Sequence, residues 1–210
     1  MLIHDYLEYW TQRDPDQVLI TDGTQSLSRA EFTSRSRRIA QLLADLLEPG
    51  TRFAIIGKNS FDYLACYFAA SMSGAVPVPI NYRLAPREWR FIIDDADAEL
   101  VIADIEFAAE LDTVRDELET PRLFLGFDGA MEGWPSFDDA ASTMDDAGLD
   151  RHGSVDDLVY QMYTSGTTGL PKGAMISQSE LVSHFAQLST LMGVVDEPKT
   201  LTTVTMYHAS

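Results

Sequence analysis

The sequence predicts an α/β fold in which a doubly wound, mostly parallel sheet is flanked by helices. Short apolar runs of strand length alternate along the chain with segments whose apolar residues recur at helical spacing. This alternation is typical of a sheet wound in both directions by crossover helices. Hydrophobic residues make up 45% of the 210 residues, which is enough for a proper core.

The first fifty residues are predicted to form leading helices and short strands. The first helix is predicted from four apolar residues at helical spacing: Ile3, Tyr6, Leu7 and Trp10. Ser28 and Glu31 fit a capping box, in which each side chain bonds the backbone N–H of the other residue. We expect a helix ending near Asp14, a strand over 18–21, a turn at Asp22-Gly23 and a long helix from Ser28 that Gly50 ends.

The next fifty residues alternate strand and helix. Gly74 is the expected left-handed cap of an apolar helix. The strand after it contains Pro77 and Pro79, and proline lacks the N–H that a central ladder needs, so a strand end or an irregular edge is expected. Pro86 marks a helix start. The expected elements are a strand over 53–56, a helix over about 61–73, a strand over 75–80, a helix from 86 and a strand over 100–103.

Residues beyond the strand at 100–103 add a helix through Leu111, Val114 and Leu118 and a strand over 122–125. Between 126 and 157 acidic residues face a single basic residue, Arg151, which indicates a solvated surface excursion with one short capped helix over 136–144. A metal site is the alternative, but the uneven spacing of these aspartates lacks a ligand pattern. Strands of the same sheet are expected to resume at 158.

The stretch from Tyr163 to Gly173 is a loop of hydroxyls and glycines closed by one lysine. Glycines let backbone N–H groups turn toward an anion, hydroxyls add donors, and the lysine adds a positive charge. The loop therefore predicts a phosphate-binding site. Its candidate ligands are Thr164, Ser165, Gly166, Thr167, Thr168, Gly169 and Lys172.

Two alternatives to a phosphate-binding loop can be tested on the sequence. A Walker A loop needs a second glycine five positions after the first, but Gly166 is followed there by Pro171 and Gly169 by Ala174. A Walker loop also leads into a helix, whereas apolar, strand-like segments flank this loop. A solvated turn with a surface lysine is the second alternative, and the length of the motif disfavours it.

The chain after the loop is predicted to form one helix and one strand. Ser177 and Glu180 fit a second capping box. The helix that it opens is expected to carry one apolar face, made of Leu181, Phe185, Leu188 and Met192. Gly193 is expected to end this helix, and a last strand over 201–206 leads to His208 at its carboxyl end, where open α/β sheets bind ligands.

Four stretches resemble, in order, the motifs of the AMP-forming adenylating superfamily. This superfamily contains acyl-CoA synthetases, adenylation domains of nonribosomal peptide synthetases and beetle luciferases. The loop at 163–173 is similar to its signature loop, and 81–86 resembles the acyl-CoA synthetase branch. The other similar stretches are Leu27 to Phe32, Gly74 to Asn81 and Met206 to His208. The chain departs from the superfamily at Gln178, where a histidine is common.

The resemblance implies an enzyme that converts a carboxylic acid and ATP into an acyl-adenylate and pyrophosphate, and then into a CoA thioester. It implies that the loop binds the ATP phosphates, that Thr164 lies near a Mg²⁺ ion, and that His208 borders the carboxylate pocket. A fatty or aryl acid is the expected substrate. The alternatives are an amino-acid adenylation domain, a luciferase-like enzyme and a phosphate-binding fragment without catalysis.

The resemblance also implies that residues 1–210 are an incomplete N-terminal ATP-binding domain. Its expected parts are leading elements over about 1–50, the doubly wound sheet with the phosphate loop over about 51–193, and the start of a further sheet segment over 194–210. The superfamily's adenine, ribose and acidic magnesium residues, and its catalytic lysine, are expected outside this chain. The 210 residues alone are therefore expected to be inactive.

Composition argues against several other classes of protein. Acidic residues number 33 against 15 basic ones, and the net charge of −18 disfavours nucleic acid and anionic membranes as partners. The N-terminus lacks the basic region of a signal peptide, and prolines and small residues interrupt the uncharged stretch at 63–82, so no transmembrane segment is expected. Cys66 is a lone, apolar-flanked cysteine, which fits a reducing, cytoplasmic compartment.

Overall fold

The computed structural model describes residues 1–151, 153–164, 170–192, 201 and 204–207. Helices and strands alternate along the chain as the sequence predicts. The helices are α1 (Ile3–Arg13), α2 (Arg29–Leu46), α3 (Phe61–Ser73), α4 (Pro86–Asp95), α5 (Ile105–Leu111), α6 (Phe137–Ser142) and α7 (Gln178–Met192), with a 3₁₀ helix at Asp112–Glu117. The strands are β1 (Val18–Thr21), β2 (Ser26–Ser28), β3 (Arg52–Ile56), β4 (Val76–Ile80), β5 (Ala98–Asp104), β6 (Leu123–Phe127), β7 (Leu158–Thr164) and β8 (Lys172–Ser177).

The central sheet has four parallel strands in the order β4-β3-β5-β6. Alternate residues of each strand point to opposite faces, so one strand contributes to two cores. Phe53 and Ile55 of β3 pack with α2 and α3, whereas Ala54 and Ile56 pack with α4 and α5 on the other face. Helices thus cover both faces, which confirms the predicted doubly wound α/β class.

The strand order reverses direction at β3. The chain leaves β3 for β4 on one side and then crosses to β5 on the other side. In open sheets of this kind, ligands bind outside the carboxyl ends of the strands at such a reversal. The carboxyl ends of β3 and β5 therefore form an edge at which a ligand site is expected.

The hairpin of β7 and β8 is a separate two-stranded antiparallel sheet, so the prediction that the same sheet resumes at 158 is wrong. The hairpin lies beside β4, which is an edge strand as its prolines predicted. Val76 donates its N–H to the Thr51 carbonyl on the β3 side, at 2.8 Å. Because successive residues alternate in direction, Pro77 and Pro79 face the outer edge. Neither proline has an N–H, so at these positions β4 offers no donor with which β7 could pair as a fifth strand of the sheet.

The predicted caps are present. The Ser28 N–H donates to the Glu31 carboxylate at 2.7 Å, and the Glu31 N–H donates to the Ser28 hydroxyl at 3.2 Å. Ser177 and Glu180 repeat this arrangement at 2.7 and 3.3 Å. Gly74 ends α3 with φ of +79°, a conformation that residues with a Cβ rarely adopt. These local signals correctly predict the start of α2, the end of α3 and the start of α7.

Several predicted boundaries and faces are wrong. α2 ends at Leu46, so Gly50 does not end this helix as expected. β2 was not predicted, and it exists because it pairs with β1 across the turn at Asp22-Gly23. The single helix expected through Leu111 and Leu118 is α5 followed by a 3₁₀ turn. Such ends depend on pairing and packing as well as on local sequence.

The burial of some aromatic residues also differs from the prediction. Tyr6 and Trp10 of α1 are 42% and 48% exposed, whereas Ile3 and Leu7 are buried. Trp134 and Phe137 in the acidic excursion are fully buried, so that segment packs onto the sheet with its apolar residues while its acidic ones face water. Phe185 on the expected apolar face of α7 is 52% exposed.

The region after α7 is only partly described. Gly193 lies outside the described residues, and within 201 and 204–207 no strand is present where one was expected. Over the described ranges, no helix combines the length and apolarity that crossing a membrane would require.

Candidate phosphate loop and its surroundings

The hairpin of β7 and β8 brings both ends of the predicted phosphate loop together. Thr164 pairs with Lys172 at the loop end of the ladder, and Tyr163 pairs with Gly173 next to them. Directly paired residues on antiparallel strands point to the same face. Thr164 and Lys172 are both exposed. Thr164 and Lys172 therefore share one face at the hairpin mouth, and their hydroxyl and ammonium groups suit a bound phosphate.

The predicted loop joins two extended segments, and β7 and β8 confirm this. The loop leads into a strand and not into a helix, so the Walker A alternative is wrong. Five of the candidate phosphate ligands, as well as His208, lie outside the described residues. Their assignments stay predictions; the five are Ser165, Gly166, Thr167, Thr168 and Gly169.

Gly173 is closely covered by two side chains of the hairpin. A Cβ at this position would lie 2.7 Å from Nε2 of Gln161, closer than Cβ atoms are found, and would make a tight contact of 3.0 Å with Cζ of Tyr163. The two β7 side chains thus cover the backbone of β8 directly beside Lys172. This close approach within the protein is a reason for a glycine at position 173 that does not involve a phosphate.

Gln178 anchors the start of α7, immediately after β8. This residue is 2% exposed, and its Oε1 accepts the Ile3 N–H at 3.0 Å while its Nε2 donates to the Ser71 hydroxyl at 2.9 Å. The same hydroxyl lies 2.8 Å from Nδ1 of His4, whose pKa is lowered by burial. Gln178 therefore ties the loop-bearing hairpin to α1 and α3. The sequence signal for this residue was its departure from the histidine that is common in the superfamily at this position.

Asn59 holds the segment just before His208 by a two-point contact. Its Nδ2 donates to the Val204 carbonyl at 2.8 Å, and its Oδ1 accepts the Met206 N–H at 2.8 Å. The Tyr67 hydroxyl donates to the Met206 carbonyl at 2.8 Å. Sequence reasoning missed Asn59; the signal was a polar side chain just beyond the carboxyl end of β3, where open sheets bind ligands.

The carboxyl ends of β3 and β5 border a cavity of about 400 Å³ that is lined mainly by polar residues. Asp104 at the end of β5 is 8% exposed, and its Oδ2 accepts the Lys58 N–H at 2.8 Å. Burial, together with the neighbouring carboxylates of Asp128 and Glu106, raises the pKa of Asp104 to about 6. Lys58 forms an ion pair with Glu106 at 2.6 Å. This edge therefore holds a carboxyl group whose pKa is raised well above its ordinary value.

The described residues fit the phosphates of ATP better than they fit a magnesium ion. Thr164 and Lys172 supply a hydroxyl and a cation at one hairpin end, which suits a phosphate. Magnesium prefers carboxylate and water oxygens in an octahedral arrangement. Within the described ranges no group of three or more His, Cys, Asp or Glu residues could hold a metal, so Thr164 would contribute a single oxygen.

Comparisons with known proteins agree on one family. The sequence model of the family described as AMP-binding enzyme matches residues 7–210. Indoleacetate–CoA ligase from Aromatoleum aromaticum is 30% identical over 99% of this chain and 41% of its own length. Long-chain-fatty-acid–CoA ligase FadD13 from Mycobacterium tuberculosis is 29% identical over 88% of this chain and 36% of its own length.

Solved structures show the same fold. The inhibitor-bound crystal structure of the N-terminal domain of FACL13 from Mycobacterium tuberculosis matches with a TM-score of 0.85 and 26% identity. That match covers 99% of this chain and 52% of the solved chain. Of the two curated relatives described above, the chain spans about two fifths of the length.

Proposed function

The chain belongs to the AMP-binding enzyme family, and from that premise we propose that it provides the phosphate-binding part of an AMP-forming acid–CoA ligase. Such an enzyme joins a carboxylic acid to the α-phosphate of ATP and then transfers the acyl group to the thiol of CoA. The observation that supports this proposal most directly is the pairing of Thr164 with Lys172 at the mouth of the β7–β8 hairpin. The relatives supply the reaction class.

The chemistry of the first step explains why the loop has this composition. A carboxylate attacks the α-phosphorus, and negative charge grows on the departing pyrophosphate. The Lys172 ammonium and the Thr164 hydroxyl bind the β- and γ-phosphates, and they stabilise that charge more in the transition state than in the bound substrate. A magnesium ion would add positive charge to the same phosphates. Ser165, Thr167 and Thr168 are the further proposed donors.

We assign the acid-binding side to His208 and its neighbours. Asn59 and Tyr67 hold residues 204–206 by three hydrogen bonds, so the backbone that leads to His208 has a defined position. The substrate we propose is an apolar carboxylic acid, fatty or aryl. The names of the relatives support this class, because indoleacetate and long-chain fatty acids are both apolar carboxylates.

Three further assignments belong to this proposal. Residues 1–210 act as an incomplete N-terminal ATP-binding domain. CoA is the acceptor of the acyl group, and the protein works in the cytoplasm. An amino-acid adenylation domain is the main alternative, and it predicts a different set of activating acids.

Acid-dependent exchange of labelled pyrophosphate into ATP tests the proposal. The complete protein is assayed with ATP, Mg²⁺ and a panel of fatty, aryl and amino acids, each with and without CoA. We expect exchange with at least one fatty or aryl acid and thioester formation when CoA is added. Exchange with amino acids alone would overturn the substrate class, and no exchange with any acid would overturn the proposed activity.

The same assay tests the expectation that residues 1–210 do not suffice. A phosphate loop alone leaves adenine and ribose in water, so the α-phosphorus is poorly oriented for attack. We expect no acid-dependent exchange from these residues by themselves. Exchange at a rate similar to that of the complete protein would show that all catalytic groups lie within them.

A further inference from the structure

A row of four polar side chains connects the β7–β8 hairpin to the central sheet. Arg52 donates from Nε to Oε1 of Gln161 at 3.1 Å, and Gln161 donates from Nε2 to the Tyr163 hydroxyl at 3.1 Å. Tyr163 in turn donates its hydroxyl proton to Oδ2 of Asp95 at 2.6 Å. We call these four residues the polar strut. It joins the first residue of β3, two residues of β7 and the last residue of α4.

One inner residue of the strut, Tyr163, is adjacent to the groups that are proposed to bind phosphate. Tyr163 directly precedes Thr164 in β7 and pairs with Gly173, the neighbour of Lys172 in β8. The absence of a Cβ at Gly173 lets the Gln161 and Tyr163 side chains lie against β8 at this point. The Tyr163 side chain therefore connects β7 to β8 next to the hairpin mouth, on the face opposite to Thr164 and Lys172.

The backbone gives the hairpin little help in holding this position. β7 lies beside β4 without a hydrogen-bonded ladder, because Pro77 and Pro79 offer no N–H on that edge. The position of the hairpin along the outer edge of β4 therefore depends on side-chain contacts. A hydrogen bond between a hydroxyl and a carboxylate is charge-assisted and directional, so it is suited to this task.

The hydrogen bonds of the strut make its geometry specific, and of its four residues Gln161 is buried while Asp95 is exposed. Gln161 is 7% exposed and uses both ends of its amide, so its orientation is determined by Arg52 on one side and Tyr163 on the other. Burial and the adjacent Asp95 carboxylate raise the pKa of Tyr163, so its hydroxyl keeps the proton that it donates. Removing the hydroxyl would leave the buried Gln161 amide without a partner that it now has, whereas water can solvate the exposed Asp95 carboxylate.

We propose that Tyr163 and Asp95 are positioning residues that align Thr164 and Lys172 with the phosphates of ATP. This inference rests on the proposed function, because it assigns the strut to the adenylation step. The strut residues do not touch the reacting atoms; they act through the hairpin mouth. Loss of the hydroxyl is expected to slow the step in which charge grows on pyrophosphate, while the fold and the acid pocket stay as they are.

Tyr163→Phe in the complete protein is the direct test, and Tyr160→Phe is its matched control. Tyr160 lies on the same strand but its ring faces Tyr67, at 6.2 Å between centroids. We expect the kcat of acid-dependent pyrophosphate exchange to fall about tenfold in Tyr163→Phe, with an unchanged KM for the acid. Tyr160→Phe is expected to match the wild type. Equal kcat values for the two variants would overturn the proposal.

Asp95→Ala and the double variant separate positioning from general weakening of the fold. If Tyr163 and Asp95 act through one hydrogen bond, the double variant loses no more kcat than the single variants do. Additive losses would overturn the proposal. Thermal unfolding is measured for every variant, and a fall in unfolding temperature that accounts for the lost rate would also overturn it.

Binding of inorganic pyrophosphate, measured by calorimetry, makes the result independent of the proposed reaction. A protein without exchange activity would refute the proposed function, yet the strut would still be tested by this binding. We expect pyrophosphate to bind several-fold more weakly to Tyr163→Phe than to Tyr160→Phe. Equal affinities of the two variants would overturn the inference even in an active enzyme.

Discussion

Replacing Asp104 with asparagine should stabilise the protein at neutral pH and stabilise it less in mild acid. Burial raises the pKa of Asp104 to about 6 from an ordinary value of 3.8. The folded protein thus binds this proton more tightly than the unfolded chain does. The resulting stability is fully present below about pH 4 and is lost as the pH rises through about 6. Asparagine stays neutral at every pH and can still accept the Lys58 N–H through its carbonyl oxygen.

The size of the effect follows from the two pKa values. The difference between about 6 and 3.8 corresponds to at most about 3 kcal/mol of unfolding free energy above pH 7. Water in the adjacent cavity screens the charge, so we expect about 1 to 2 kcal/mol. At pH 4.5 the unfolded chain is largely ionised but the folded protein is not, and about a third of the effect should remain.

Urea unfolding of the wild type and Asp104→Asn, followed by circular dichroism between pH 4.5 and 7.5, measures this difference. Glu106→Gln is the control, because Glu106 lines the same cavity, is exposed and pairs with Lys58 on the surface. That variant should differ from the wild type by about 0.5 kcal/mol or less at any pH. A difference for Asp104→Asn that does not change with pH, or a loss of stability at pH 7.5, would refute the reasoning.

Three further predictions concern the loop, the segment before His208 and a helix cap. Lys172→Ala should remove about 2–4 kcal/mol of transition-state stabilisation and so slow pyrophosphate exchange, without changing the circular dichroism spectrum. An unchanged rate would remove the loop lysine from the mechanism. Asn59→Ala should raise the KM for the acid at least several-fold while the KM for ATP stays constant; equal changes in both would contradict a local effect. Ser28→Ala should cost about 1 kcal/mol in urea unfolding because the Glu31 N–H loses its acceptor, and a variant as stable as the wild type would disprove the cap.

The sequence was sufficient for the elements whose signals are local. The capping boxes at Ser28 and Ser177, the left-handed cap at Gly74 and the alternation of β3 to β6 with helices all act within a few residues, so they could be predicted without tertiary contacts. The resemblance of 163–173 to a known loop also identified the family. Thr164 and Lys172 were expected to act together, and the hairpin pairs them.

The tertiary structure decided the faces, edges and anchors, because these depend on residues far apart in the chain. Asn59 meets Val204 and Met206, Gln178 meets Ile3, and Tyr163 meets Asp95, and no local pattern encodes any of these contacts. The separation of the β7–β8 hairpin from the main sheet likewise followed from where the β4 prolines point once β3 is in place. A periodic pattern predicts that a residue is in a strand or helix, but its partner is determined only when the elements pack together.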